Sequence, residues 1–295
     1  MKASVSVIIP TCNRSTLVTR AIQSVLTQTY TNLECIVVDD ASNDNTGEVV
    51  NSFDDDRLIF IRHDKKQGAS AARNTGIKHS KGDFVAFLDD DDEWLLTKID
   101  KQIHLLNKSK AKVGLVYCWV AYMKNDLILR KYSPRFKGEI FKEMLDKQAI
   151  GNSSTLLVKR KVIDDVGGFD ESLPRGNDGD FIRRVCQKYQ VDFVPEILVN
   201  VHVGHGKERI TSNSIKGILN AINGQEIKLQ KFSRELDKLP KQKANIFIHI
   251  GNHYVELGVF SKALSNYLKA ICLVPYEKYL YKIIFRKLLL TMTNK

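Results

Sequence analysis

Long apolar runs are missing from this 295-residue chain. No stretch approaches the ~18 apolar residues that a membrane-spanning helix needs, which argues against a helical membrane domain. Cysteine is scarce. The five, Cys12, Cys35, Cys118, Cys186 and Cys272, are odd in number, widely spaced and form no Cys-x-x-Cys pair. That pattern fits neither a disulfide framework nor a zinc site, and the expectation is buried small hydrophobes. Glycine-rich phosphate loops are also lacking, in both the Gly-x-Gly-x-x-Gly and the Gly-x4-Gly-Lys-Ser/Thr form. This argues against a dinucleotide enzyme and a P-loop NTPase. The apolar run Val5–Ile9 is ended by Pro10, too early for a signal h-region. The expected location is cytoplasmic.

What is present in excess is positive charge, 45 Lys and Arg against 34 Asp and Glu, but it is unevenly spread. Residues 1–206 hold 29 basic and 28 acidic side chains, whereas residues 207–295 hold 16 and 6. The first two thirds are balanced and carry no recognition motif, so no nucleic acid is expected as a partner. The basic end, residues 211–295, is expected to meet an anionic membrane surface or a protein partner.

Periodicity predicts strands at Val5–Ile9, Glu34–Val38, Leu58–Arg62 and Asp83–Leu88, with helices at Leu17–Leu26, Thr46–Phe53, Ala69–His79 and Lys98–Leu106 between and after them. Such alternation indicates βαβ units and a parallel sheet covered on both faces, with ligands at the carboxyl ends of its strands. Polar residues collect there: Thr11-Cys12-Asn13-Arg14, Asp39-Asp40 and Asp89–Asp92. After Val113 the strands shorten, with candidates at Val113–Ala121, Ser154–Val158 and Phe193–Val203. Ile215–Glu235 reads as a long polar helix, Leu236–Lys243 as a linker, and the remainder as helical.

Four adjacent carboxylates at a strand end repel one another. They form either a solvated acidic turn or a site made tolerable by a hard divalent cation, which takes oxygen ligands and keeps positions open for phosphates. The context favours the second. Val5–Arg14 (VSVIIPTCNR), Val37–Asn45 (VVDDASNDN), Gly68–Gly76 (GASAARNTG), Gly82–Trp94 (GDFVAFLDDDDEW) and Gly167–Glu171 followed by Asn177-Asp178 stand in one order. Together they resemble the glycosyltransferases of family 2 over roughly residues 4–210.

The resemblance implies an α/β GT-A fold, a mostly parallel sheet with helices on both faces, here with a small all-α C-terminal extension. It implies an inverting, metal-dependent transfer from a UDP-sugar (or dTDP-sugar) to an acceptor hydroxyl, with Mg²⁺ or Mn²⁺ as cofactor. The acceptor would be a glycan or a lipid-linked saccharide in cell-surface polysaccharide assembly at the inner membrane face. Pro10, Thr11 and Arg14 would line the nucleotide. Asp39 would accept the imide N–H of uracil, and Asp40 would cap the Ser42–Asn45 turn. Arg73 would lie near the uridine or diphosphate. Asp89 and Asp90 would bind ribose or sugar hydroxyls, and Asp91 would be the metal ligand. Asp92 and Trp94 would start the next helix. Asp178 would be the general base, with Asp180 as its competitor. Asn177 stands where the family has Glu, so the acceptor contacts there differ. His202 or His205 would reach metal or diphosphate, as Lys207 or Arg209 could instead.

Residues 244–277 resemble one tetratricopeptide repeat: Phe247, Ile250, Gly251 and Tyr254 on its first helix, and Gly258, Phe260, Ala263, Tyr267, Ala270 and Pro275 on its second. The expected organisation is therefore a transferase domain over 1–210, a helix and linker over 211–243, and a helical hairpin plus basic amphipathic helix over 244–295. The competing readings are a sugar-nucleotide nucleotidyltransferase, which needs a glycine-rich basic loop early in the chain, and a non-catalytic adaptor built on the repeat.

Overall fold

The computed structural model describes residues 3–147, 149–204 and 214–293. The chain divides into two compact units. The first comprises Met1–Met144, Gln148–Glu171 and Asp178–Gly206; the second comprises Leu145–Lys147, Ser172–Asn177 and Lys207–Lys295.

The first unit alternates strand and helix from its start. β1 (Val5–Thr11), α1 (Ser15–Leu26), β2 (Leu33–Asp39), α2 (Thr46–Asn51), β3 (Leu58–Arg62), α3 (Ala69–His79) and β4 (Phe84–Phe87) follow one another. Then come β5 (Asp92–Trp94), α4 (Lys98–Lys108), β6 (Val113–Lys124), β7 (Leu127–Tyr132), α5 (Phe141–Asp146), β8 (Leu157–Lys159), α6 (Arg160–Val166), α7 (Asn177–Lys188) and β9 (Gln190–His202). Among the described residues these form one nine-stranded sheet, in the order β3-β2-β1-β4-β8-β6-β9-β5, with β7 paired to β6. Parallel pairing holds for β3-β2-β1-β4 and again for β6 with β9. β8, β5 and β7 pair antiparallel, so the second half of the sheet is mixed.

Side chains of a strand alternate between faces, and both faces here are covered. Val5, Val7 and Ile9 of β1 pack in one core with Val18, Ile22 and Val25 of α1 and Ile99 of α4. Ile8 packs in the other, with Val85, Phe87, Tyr117, Phe169 and Phe181. A buried strand with two apolar faces reads as a nearly continuous apolar run, as Val5–Ile9 does apart from Ser6.

The second unit contains α8 (Ile215–Lys231), α9 (Ser233–Asp237), α10 (Pro240–Glu256), α11 (Phe260–Leu273) and α12 (Lys278–Thr293). The linker expected at Leu236–Lys243 is largely helical instead. Pro240 opens α10 at its first turn, where a missing N–H costs nothing because that donor has no intrahelical partner. The hairpin of α10 and α11 is tight. A Cβ on Gly251 would lie 2.5 Å from Tyr267 Cε1, and Gly258 takes φ +74° in the turn. Tyr267 Oη donates to Asn252 Oδ1 at 2.8 Å, so its buried hydroxyl is satisfied. On α12, Leu280 and Ile284 are buried, whereas Ile283 is 40% exposed. Among the described residues no helix is long and apolar enough to cross a membrane.

Candidate active site

β2 and β3 lie on one side of β1 and β4 on the other, so the chain changes direction across the sheet between β1 and β4. That switch point is where open α/β sheets bind ligands. β1 pairs with β2 as far as Thr11, but with β4 only as far as Ile8, which leaves Pro10 and Thr11 at an opening crevice.

The acidic run closes a turn there. The Asp92 N–H donates to the Asp89 carbonyl at 3.0 Å, reversing the chain into β5, so Asp92 and Trp94 form a strand and not the start of a helix. Carboxylate oxygens of Asp89, Asp91 and Asp92 come within 4.8 Å of one another. Asp90 is pulled the other way: Thr11 Oγ1 donates to its Oδ2 at 2.8 Å and the Arg14 guanidinium to its Oδ1 at 2.8 Å. Arg14 also stands 3.3 Å from Asp91 Oδ2, and Arg20 donates to the Asp91 carbonyl at 2.8 Å.

Asp89, Asp90 and Asp92 have raised carboxyl pKa values. Burial raises the Asp90 carboxyl to about 6, with Arg14 and Thr11 opposing and Asp91 assisting the rise. Burial also raises Asp89, with Arg73 opposing it and Asp178 and Asp91 adding repulsion. Asp92 is raised well above the usual carboxylate range by burial and then by Asp89 and Asp91. Its Oδ2 accepts from Ser154 Oγ at 2.6 Å and from Asn152 Nδ2 at 3.1 Å, but its buried Oδ1 has no hydrogen-bond partner. A buried orphan oxygen is costly unless something fills the gap. An all-carboxylate set with an orphan oxygen fits a hard divalent cation, for which Asp89, Asp91 and Asp92 are the available donors.

Asp39, fully buried at the end of β2, divides its two oxygens. Oδ1 accepts from the Ser42 N–H at 3.0 Å and, closely, from the Ser42 hydroxyl. Oδ2 has no hydrogen bond, and the half-exposed Arg62 stands 3.7 Å away. The turn-capping role expected of Asp40 therefore belongs to Asp39. Ala41, at φ +57°, bends the chain back for it. Asp40 instead accepts from the backbone N–H groups of Gln67 and Gly68, both at 2.7 Å, and faces His63 Nδ1 at 2.9 Å. It fixes the entry to α3. Burial opposes the charge, but these donors hold its carboxyl below the usual range.

Arg73 lies beneath the acidic turn. It donates to Asp89 Oδ1 at 2.5 Å and stands 5.2 Å from the Phe169 ring centroid. Burial disfavours its charge, yet Asp89 and Asp178 hold it fully protonated.

Asp178 sits in the first turn of α7, and its Oδ2 accepts the Ser153 N–H at 3.2 Å. Asp180, the competitor for the base, is buried and committed. Arg184 Nε donates to it at 2.8 Å, and the same guanidinium bonds the carbonyls of Val166, Gly167 and Gly168. Asn74 of α3 secures the next residues, bonding the backbone N–H and carbonyl of Phe169 at 2.8 Å each. The Gly-Gly-Phe-Asp segment is thus a clamp between α3 and α7.

His202 is not brought among the acidic oxygens. Asp92 pairs with Val201 and Glu93 with Asn200 across β5 and β9, so Glu93 and His202 share the strand face away from Asp92. His202 Nε2 meets Glu93 Oε2 at 3.0 Å. His205, Lys207 and Arg209 lie outside the described residues.

Asn152 and the 3-10 turn Ser153–Thr155 before β8 were not singled out as site residues by sequence, and Ser154, expected to open a strand, lies in that turn. Ser153 and Ser154 are fully buried, and Ser153 Oγ donates to Asp89 at 3.2 Å. Together with its N–H on Asp178, Ser153 links the acidic turn to Asp178. The available signal was a polar tetrad, Asn152–Thr155, placed directly before an apolar strand.

A parallel half-sheet with an acidic turn at its switch point defines a sugar-nucleotide transferase of the GT-A class. The comparisons go further. The sequence profile of Glycosyl transferase family 2 matches residues 6–167. A Rickettsia typhi protein described as an uncharacterized glycosyltransferase is 32% identical over 277 residues, spanning 90% of this chain and 82% of that one. The chain belongs to glycosyltransferase family 2. It is also similar to the Escherichia coli UDP-Glc:α-D-GlcNAc-diphosphoundecaprenol β-1,3-glucosyltransferase WfaP, 42% identical over 106 residues that make up 36% of this chain and 42% of WfaP. Staphylococcus aureus TarS 1-349 with UDP-GlcNAc superposes with a TM-score of 0.63 at 16% identity, over 90% of this chain and 89% of TarS. The mannosyltransferase PcManGT of Pyrobaculum calidifontis with GDP-Man and Mn²⁺ gives 0.61 at 18% identity, over 100% and 88%. At such identities these two establish the shared fold.

Proposed function

We propose that the chain is an inverting hexosyltransferase that moves a sugar from a UDP-sugar to an acceptor hydroxyl. The observation that carries this reading is the meeting of Asp89, Asp91 and Asp92 with Asp178 through Arg73 and Ser153. Asp39 Oδ2, buried without a hydrogen bond, suits an N–H donor such as the imide of uracil or thymine and would face an acceptor lone pair on cytosine. Thr11 and Arg14 line the crevice for ribose and diphosphate.

In the transfer, Asp178 takes the proton from the acceptor hydroxyl while that oxygen bonds to the anomeric carbon. The bond from the anomeric carbon to the diphosphate oxygen breaks on the opposite face, and UDP leaves with the electron pair. Arg73 holds Asp89 in place beneath the donor. Asp89, Asp91 and Asp92 would hold Mg²⁺ or Mn²⁺, which when bound offsets diphosphate charge.

The acceptor we infer is a lipid-linked saccharide in cell-surface polysaccharide assembly, supported by the likeness to WfaP. The enzyme would work in the cytoplasm, peripheral to the membrane, with the basic residues 211–295 attracted to its anionic surface. A thermal-shift screen of UDP-, dTDP- and GDP-sugars with Mn²⁺ tests donor and class together. UDP- or dTDP-sugars should raise the melting temperature more than GDP-sugars; stabilisation by GDP-mannose alone would sink the UDP-sugar reading.

A further inference from the structure

We propose that the β6–β7 hairpin is a membrane-dipping element that seats the catalytic edge of the first unit on an anionic lipid surface. It is a contact separate from the basic C-terminal residues.

The hairpin turns at the sheet edge that carries the acidic turn, with β6 still paired to β9 as far as Met123, so that its tip stands at the end of the sheet. β8 runs antiparallel to both β4 and β6, so β6 runs in the same direction as β4. Leu157 pairs with Ala86 on one side and Val116 on the other, which sets these two at one level. β4 stops one residue later at Phe87, whereas β6 continues eight residues further to Lys124. At ~3.3 Å per residue that is on the order of 25 Å of strand beyond the level of Ala86. A two-residue turn, Asn125 at φ 47° and Asp126 at φ 63°, then returns the chain into β7. Among the described residues β7 pairs only with β6.

The returning strand starts with three consecutive exposed apolar residues: Leu127 at 69%, Ile128 at 53% and Leu129 at 58%. A surface strand normally alternates polar and apolar side chains. Here Leu127 pairs with Lys124 and Ile128 with Met123, so these two side chains take opposite faces, while Leu129 is the extra residue of a bulge; both faces of the ribbon are apolar at its tip. A protein partner would cover one face and leave the other in water. A lipid interface surrounds the ribbon tip and covers both. The charge pattern selects the same occupant. Lys124, Arg130 and Lys131 flank the triplet against a single acid, Asp126. All three cations are exposed, and Arg130 is stacked 4.3 Å over the Tyr122 ring. Cations bordering an inserted apolar tip match anionic headgroups.

The benefit to catalysis rests on the lipid-linked acceptor proposed above, but the docking itself is testable without activity. The full chain is floated with phosphatidylcholine vesicles containing or lacking phosphatidylglycerol. The parent should float with the anionic vesicles. L127S/I128S/L129S and, separately, R130E/K131E should each lower its partition coefficient at least tenfold at unchanged melting temperature. L264S/L268S, which changes exposed residues of α11, should lower it less than twofold. The proposal is overturned if the parent does not float, which would include a hairpin made for a protein, or if the hairpin variants float like the parent. Asp178→Asn should float normally. If hairpin-dependent flotation is found but no UDP-sugar is ever turned over, the docking stands and the catalytic reading falls.

Discussion

The two halves of the sheet are built by different rules. β3-β2-β1-β4 is parallel, made of short apolar strands whose ends face a single crevice. β8-β6-β9-β5 is mixed, with long strands β6 and β9 interrupted by register shifts. The first half supplies the acidic turn through the end of β4. The second supplies Ser153, Ser154 and Asp178 from segments leading into β8 and α7. Neither half holds a complete site. Under the proposed function, the groups that would bind the donor stand at regular strand ends, and those that would meet the acceptor come from irregular segments that can change without disturbing the parallel core.

The sharpest way to break this division is to remove one group from each half. Asp178→Asn, from the mixed half, should lower kcat by roughly 10²–10⁴-fold and leave UDP-sugar stabilisation in a thermal-shift assay near that of the parent. Asp91→Ala, from the parallel half, should abolish the Mn²⁺-dependent part of that stabilisation. If Asp178→Asn retained most of its turnover, the base would lie elsewhere. Next in size is the contact that orients Asp92 within the mixed half. Ser154 donates to Asp92, so Ser154→Ala should weaken Mn²⁺ binding by about tenfold, the scale for a group that orients a metal ligand. An unchanged Mn²⁺ titration would count against Asp92 as a ligand.

The parallel half was legible because short apolar runs alternated with helical periods, and because polar residues fell at each strand end. The mixed half was less so. β8 and β5 are three residues each, too short to carry a period, and β7 breaks the alternation rule. At the site, Asp39, Asp91 and Asp178 stood out as acids within motifs. The exchange of roles between Asp39 and Asp40 depended on which backbone N–H groups the turn presents, which spacing does not encode. The place of Asp92 depended on the chain reversing at Asp89, and His202 was decided by strand parity. Ser153 and Ser154 were invisible because a serine becomes informative only when its burial and partners are known.

A smaller effect separates the halves by pH. The folded protein holds the Asp90 carboxyl up at about 6 against an ordinary value of 3.8. Between these values the native state binds more protons than the unfolded chain, so this group makes stability fall as pH rises through that window. The raised Asp89 and Asp92 act in the same sense. In chelator the melting temperature should therefore drop from pH 5 to pH 7, and saturating Mn²⁺ should flatten the dependence by favouring the charged carboxylates. A melting temperature equally steep with and without Mn²⁺ would separate the cluster from metal binding.

The mixed half contains the opposite case. Lys98, on α4 beneath β6 and β9, is fully buried, with Nζ 2.8 Å from Gln102 Oε1 and 3.8 Å from the Trp94 ring centroid. Burial lowers its ammonium to about 8 from 10.5. Here the unfolded chain binds more protons between about 8 and 10.5, so this group makes stability rise with pH across that range. At pH 7 the charge is a net cost, partly offset by the ring and the amide. Lys98→Met keeps the volume and removes that cost, so it should stabilise the protein by about 1 kcal/mol at pH 7, less near pH 9, with kcat unchanged. Loss of activity in this variant would show that the buried cation reaches the site through Trp94, whose indole N–H bonds the Ser154 carbonyl at 2.8 Å. The two halves would then be coupled more tightly than their separate construction implies.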